Sequence, residues 1–193
     1  MPKNIRPWLL VLALTLADPA RAADPRHIQA LNDEALSLHA AGDYEQAAQR
    51  YRELLPLLDE HFGPDSLEAA RIRASLADTQ LARKQFKDAE ASYRDVLAAP
   101  ATDQAPLLRA DALNGLASAL YMRRQYGKAE PLYQQARELL EAQPSPPPER
   151  LALVLDNLSS LYRTLRRDAQ AQRYDEQARK LRRQQNSAAK DHP

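Results

Sequence analysis

Apolar and polar positions along this chain follow a pattern that repeats about every 40 residues. An aromatic residue, an alanine and a tyrosine recur with the same internal spacing at 44–51, 86–93 and 126–133. Within each period, two segments carry apolar residues every three or four positions, which indicates two amphipathic helices. A period of this length is typical of a helical hairpin copied along a chain, because each copy must stack on its neighbours to bury its apolar face.

The pattern predicts eight helices separated by polar corners and proline-containing breaks. Gly42 stands where a helix needs a left-handed terminal residue. Prolines at 64, 100 and 144–148 mark both the ends and the starts of helices. The predicted helices span about 26–41, 44–61, 65–83, 86–98, 104–124, 126–142, 148–166 and 168–185.

Alanines at equivalent positions predict where the two helices of each hairpin cross. Four belong to second helices and three to the first helices that face them. We expect a larger side chain at any of these positions to force the helices apart. We expect the repeated tyrosines to fill the core beside them. The alanines are Ala47, Ala89, Ala129 and Ala171, and Ala35, Ala77 and Ala117.

Residues 1–22 are predicted to be a secretory signal peptide. Lys3 and Arg6 precede an apolar run of about ten residues, and Ala20-Arg21-Ala22 fits cleavage after Ala22. The run is well short of the ~20 residues that span a bilayer, so an uncleaved inner-membrane anchor is the less favoured alternative. The chain has no cysteine, which excludes disulfides and a lipid anchor on cysteine. Export together with the lack of disulfides favours a location in a bacterial periplasm. We expect residues 186–193 to be a disordered tail.

Charge is unevenly distributed although the total is close to zero. Residues 24–70 hold three basic and ten acidic side chains, whereas residues 163–191 hold nine basic and four acidic ones. The near-neutral total gives no sign of nucleic-acid binding. The asymmetry favours an alternative function, in which the acidic N-terminal end of one copy meets the basic C-terminal end of the next.

No motif for catalysis or cofactor binding is present in the sequence. The four histidines, at 27, 39, 61 and 192, form no pair at helical metal-site spacing. There is no glycine-rich phosphate loop and no nucleophile motif. We therefore expect no enzyme activity, no cofactor, no metal site and no small-molecule substrate.

Several motifs resemble the tetratricopeptide repeat, in the longer variety found in kinesin light chains. The segment 126–133 is similar to the opening of that family's second helix, and the segments 113–117 and 155–159 are similar to its Leu-Asn-Asn-Leu-Ala opening. The resemblance covers about residues 28–182. It implies an all-α, right-handed α-solenoid of about four helical hairpins. The repeats would span about 28–62, 65–99, 104–143 and 148–185, and the last, weaker one would act as a cap.

The resemblance also implies protein binding. In the family, the first helices of the hairpins line a concave groove that holds an extended peptide or a partner helix. Asn114 and Asn157 occupy the positions of the family's groove asparagines, whose amides can pair with a peptide main chain. The groove candidates are Asn32, His39, Arg71, Asp78, Asn114, Ser118, Tyr121, Asp156, Asn157 and Arg163.

The sequence thus favours a non-enzymatic, exported scaffold that binds a peptide or helix of an envelope protein in this groove. Two alternatives stay open. One is the self-associating structural protein suggested by the charge asymmetry. The other is a membrane-tethered envelope assembly factor that keeps its N-terminal segment.

Overall fold

The computed structural model describes residues 24–188, and within them every regular element is helical. The predicted signal peptide and residues 189–193 lie outside the described residues. The α-helices are α1 (Pro25–Ala40), α2 (Tyr44–Phe62), α3 (Leu67–Ala82), α4 (Phe86–Ala98), α5 (Pro106–Met122), α6 (Tyr126–Glu141), α7 (Pro148–Thr164) and α8 (Asp168–Ala188). Each helix packs against the next in the chain, so four hairpins stack in sequence order as a solenoid.

Helix starts follow from short polar side chains and prolines. Asp24 accepts a hydrogen bond from the backbone N–H of Arg26 at 2.9 Å, and Ser66 accepts one from Ala69 at 3.2 Å. These caps satisfy donors that a first helical turn leaves free. Prolines open α1, α5 and α7, where a missing N–H costs nothing.

The turn inside each hairpin has the same backbone conformation. Gly42 has the predicted positive φ, of 81°. The equivalent residues in the other hairpins, Lys84, Arg124 and Arg166, have φ of 60°, 61° and 59°. In each turn the following residue donates its N–H to a carbonyl five residues back, as from Gln125 to Leu120 at 2.9 Å. Three long side chains therefore occupy a conformation that glycine adopts most easily.

The predicted crossing alanines are all buried, the most accessible of them at 2%. Tyr51, Tyr93 and Tyr133 are also buried, which confirms their place in the core. One close approach is specific to the middle of the stack. A Cβ built on Gly115 of α5 would overlap the ring of Tyr93 of α4. The ring therefore lies directly on the α5 backbone, where only glycine leaves room for it.

The structure corrects several predicted helix ends, among them those of α5 and α7, which end at Met122 and Thr164 rather than at 124 and 166. A 3-10 turn at Pro100–Gln104 precedes α5, so α5 begins at Pro106 rather than 104. Ser66 caps α3, which begins at Leu67 rather than 65. α8 continues to Ala188, so residues 186–188 are helical instead of belonging to a disordered tail.

The last hairpin closes the stack with a polar outer face. Of residues 168–187 in α8, only Ala171 and Ala178 are fully buried. Tyr174 stacks on Tyr162 of α7, with ring centroids 5.5 Å apart. This arrangement agrees with a capping repeat. No helix within residues 24–188 is both long enough and apolar enough to cross a membrane.

Candidate functional site

The first helices of the hairpins lie side by side and form one surface. α3 contacts α5, and α5 contacts α7, although these helices belong to different hairpins. We call this surface, formed by α1, α3, α5 and α7, the groove. Positions that repeat along the groove are found by counting from the small residues Ala35, Ala77, Ala117 and Ser159.

Asn114 and Asn157 bond to each other across two hairpins. The Nδ2 of Asn157 donates to the Oδ1 of Asn114 at 2.8 Å. Both side chains are only partly buried. The Nδ2 donor of Asn114 and the Oδ1 acceptor of Asn157 form no hydrogen bond within residues 24–188. The pair therefore presents a donor and an acceptor together, which matches the needs of a peptide main chain.

A second polar contact joins the same two helices, α5 and α7, nearer to the hairpin turns. The hydroxyl groups of Tyr121 on α5 and Thr164 on α7 lie 2.8 Å apart. Ser118, between Asn114 and Tyr121, donates to the backbone carbonyl of Asn114 at 2.9 Å and accepts from the Tyr133 hydroxyl at 3.0 Å. The groove side chains of α5 are thus held in place before any ligand arrives.

Asp78, like Ser118, is hydrogen-bonded to a tyrosine of the core. The hydroxyl of buried Tyr93 donates to Oδ1 of Asp78 at 2.5 Å. Asp78 and Ser118 occupy equivalent positions, and each accepts from the tyrosine of its own hairpin. Tyr93 and Tyr133 thus fill the core with their rings while their hydroxyls orient groove residues.

The N-terminal half of the groove contains a cavity of about 580 Å³, which we call the N-terminal cavity. It brings together three of the predicted residues, Asn32, Arg71 and Asp78. Its wall also includes Leu36 and Asp111. Enclosure by protein raises the pKa of Asp111 to about 6; Arg150 lowers that pKa and Asp78 raises it. Burial raises the pKa of Asp78 as well, while the hydrogen bond from Tyr93 opposes the rise.

The remaining predicted residues are engaged in other contacts. Asp156 forms an ion pair with Arg182 of α8, and Arg163 forms one with Asp175 of the same helix at 2.8 Å. Arg163 also lines a second cavity of about 450 Å³, together with Tyr121 and Thr164. His39 has its Nδ1 2.9 Å from the Thr79 hydroxyl. The structure therefore places Asn32, Arg71 and Asp78 at one end of the groove and the Asn114–Asn157 pair further along it.

Sequence reasoning missed most residues of the N-terminal cavity, among them Leu36, Asp111 and Phe62. Leu36 shares the position of Asp78 and Ser118 in its own hairpin, and Asp111 shares the position of Arg71. Counting from the small residues would have found both. Phe62 ends α2, which lies outside the repeating groove positions, so the sequence carried no signal for it.

Within residues 24–188, no group of three or more histidine, aspartate or glutamate side chains is arranged to hold a metal ion. The groove offers amides, hydroxyls, carboxylates and exposed apolar side chains for contact with a ligand.

Comparison with known proteins agrees with this geometry. The sequence matches the family model described as Tetratricopeptide repeat over residues 25–100 and 108–184. No curated protein matches the chain.

Solved structures share the fold. BtubC from P. vanneervenii is 20% identical with a TM-score of 0.73, over 84% of this chain and 66% of that one. A putative kinesin light chain from Podosopora anserina is 16% identical with a TM-score of 0.68, over 86% and 79%. The pilF protein of Pseudomonas aeruginosa is 27% identical with a TM-score of 0.62, over 81% and 61%. This chain thus spans somewhat less than two thirds of BtubC and of pilF.

Proposed function

The chain belongs to the tetratricopeptide repeat family, whose repeats are protein–protein interaction scaffolds, and we propose that its groove holds a peptide or helix of an envelope protein. The observation that carries this proposal is the hydrogen bond between Asn114 and Asn157. It fixes two amides on neighbouring first helices and leaves one donor and one acceptor without a partner within residues 24–188. A site that is ordered in advance loses less entropy when a ligand binds.

The contacts behind the groove support the same proposal. Tyr133 orients Ser118, and Tyr93 orients Asp78. Buried hydroxyls that bond to partly exposed polar groups make those groups rigid.

The test is capture of a partner from an envelope extract of the native host. The double variant Asn114→Ala, Asn157→Ala should keep the helical circular dichroism of the wild type and capture less of that partner. Gln172→Ala, at an exposed position of α8, is the control and should capture the wild-type amount. Unchanged capture by the double variant would remove the two asparagines from the site.

We further propose that the protein is exported to a bacterial periplasm after cleavage behind Ala22. The support is the cationic start, short apolar run and small-residue cleavage motif of residues 1–22. Sequencing the N-terminus of protein purified from its host should give Ala23. An intact Met1 would instead favour the membrane-tethered alternative.

Charge asymmetry favours a second candidate function, head-to-tail self-association. On α8, Arg173, Lys180 and Arg183 are exposed and form no ion pair within residues 24–188. The opposite end of the chain is rich in acidic side chains. Sedimentation at low and high salt tests this candidate, since charge-driven contacts weaken as salt rises. A monomer in both buffers at high protein concentration would exclude it.

A further inference from the structure

The N-terminal cavity combines an apolar wall with an excess of carboxylates. Leu36 of α1 and Phe62 at the end of α2 contribute to the wall and are 50% and 49% exposed. Four large apolar side chains within residues 24–188 are exposed to this degree, and two of them lie in this one cavity. Exposed apolar surface that is gathered in a concavity, rather than scattered, marks a binding site.

The carboxylates in the cavity are incompletely neutralised. Glu68, Asp78 and Asp111 line it, against one lining cation, Arg71. Asp111 forms an ion pair with Arg150 at 3.0 Å. Asp78 forms no ion pair with any side chain of residues 24–188, and its hydrogen-bond partner is the neutral hydroxyl of Tyr93.

The surroundings of Asp78 make its charge unfavourable in the free protein. Burial raises its pKa, and the hydrogen bond from Tyr93 and the neighbouring His39 of α1 act against this rise. Asp111 of α5 lines the same cavity, and the charge of Asp78 opposes its ionisation. A cation brought by a ligand would remove this unfavourable interaction, so it would bind here more strongly than at a carboxylate outside the cavity.

We propose that the N-terminal cavity binds a partner segment that carries an apolar side chain close to a lysine or arginine. The apolar side chain packs on Leu36 and Phe62, and the cation pairs with Asp78. This inference rests on the proposed groove function and adds to it the chemistry of the partner. Charge complementarity is what selects a basic occupant over an acidic one.

The test is selection of displayed random 12-residue peptides on the purified chain. Leu36→Arg serves for counter-selection, since Leu36 is half exposed and the arginine would fill the cavity with positive charge. Peptides that bind the wild type and not this variant should carry lysine or arginine within four residues of leucine, isoleucine, methionine or phenylalanine. A synthetic copy of the best peptide should lose at least about tenfold in affinity against Asp78→Asn. It should lose less than about twofold against Asp95→Asn, which removes an exposed carboxylate from α4.

A peptide-side change guards against misfolding of the Asp78 variant. Replacing the basic residue of the peptide by glutamine should lower affinity for the wild-type chain by about the same tenfold factor. The inference would be overturned if the peptides that depend on Leu36 are acidic, or if they bind equally well after their basic residue is replaced by glutamine. Either result would still support the groove as the binding surface. A chain that associates with itself through Asp78 and so excludes the peptides would also overturn the inference. If every peptide that binds the wild type also binds Leu36→Arg and Asn114→Ala, the groove function itself is overturned.

Discussion

The hydroxyl of Tyr93 lies 2.5 Å from a carboxylate oxygen of Asp78 and donates a hydrogen bond to it. Tyr93 is buried in the core, and Asp78 faces the groove. This single contact links the repeated tyrosines, which hold the hairpins together, to the surface that the hairpins form. In the next hairpin, Tyr133 and Ser118 form the same link with a neutral acceptor.

Removing that link should cost stability. We expect Tyr93→Phe to lower the free energy of unfolding by about 1.5–3 kcal/mol, because the lost hydrogen bond is to a charged group. Tyr133→Phe is the matched variant, and it should lose only about 0.5–1.5 kcal/mol because its acceptor is a hydroxyl. Urea denaturation of both variants measures the difference. Equal losses would show that the charge of Asp78 adds nothing to the contact.

Gly115→Ala should destabilise the chain through a clash with the Tyr93 ring. The ring is buried on all sides and cannot move away freely, so we expect a loss of about 1–3 kcal/mol. Gly127→Ala is the control, since a Cβ at Gly127 meets nothing within 4 Å. This control should leave stability unchanged or raise it by up to about 1 kcal/mol, as alanine favours helix. Thermal melting of the two variants tests the pair, and a harmless Gly115→Ala would contradict the close approach.

Glycine in the later hairpin turns should stabilise the protein. Lys84, Arg124 and Arg166 adopt positive φ, which costs a side chain roughly 1 kcal/mol relative to glycine. Arg124→Gly should therefore raise the free energy of unfolding by a few tenths to about 1 kcal/mol. Arg109→Gly, inside α5, should instead lower it by about 1 kcal/mol. A loss of stability in Arg124→Gly would mean that its side chain stabilises the turn by more than its backbone costs.

Asp111 gives stability a pH dependence of known sign. Its pKa of about 6 in the folded chain lies above the ~3.9 of a free aspartate. The stability that Asp111 contributes in its protonated form is therefore fully present below about pH 4, and it is lost as pH rises through about 6. Because solvent reaches 45% of the side chain, the change is small and its direction is the prediction.

The measurement compares wild type with Asp111→Asn in urea at pH 4.5 and pH 7.5. The wild type should lose stability relative to the variant between these two values. Asp95→Asn controls for loss of a carboxylate on another helix. A difference that stays constant, or that moves the other way, would show that the groove does not hinder ionisation of Asp111.

The repeat allowed the sequence to predict the helices and much of the groove, because both follow from one register. Asn114 and Asn157 were expected to face the same surface. Their mutual hydrogen bond was not expected, since they precede their small residues by three and two positions and so are not equivalents. Phe62 was missed for a physical reason: it ends a second helix and enters the N-terminal cavity through packing that no periodicity encodes. The 3-10 turn at Pro100–Gln104 was missed because it follows from loop geometry between hairpins.

The most direct test of the groove as the binding surface is photo-crosslinking in the native host. A photoreactive amino acid is placed at Asn32 in the N-terminal cavity or at Ser160 in the second cavity, or at the exposed control positions Ala91 and Gln172. We predict that the groove positions form a covalent adduct with a partner protein and that the controls on α4 and α8 do not. Adducts that form at Ala91 or Gln172 and not at Asn32 or Ser160 would contradict the groove as the site of binding.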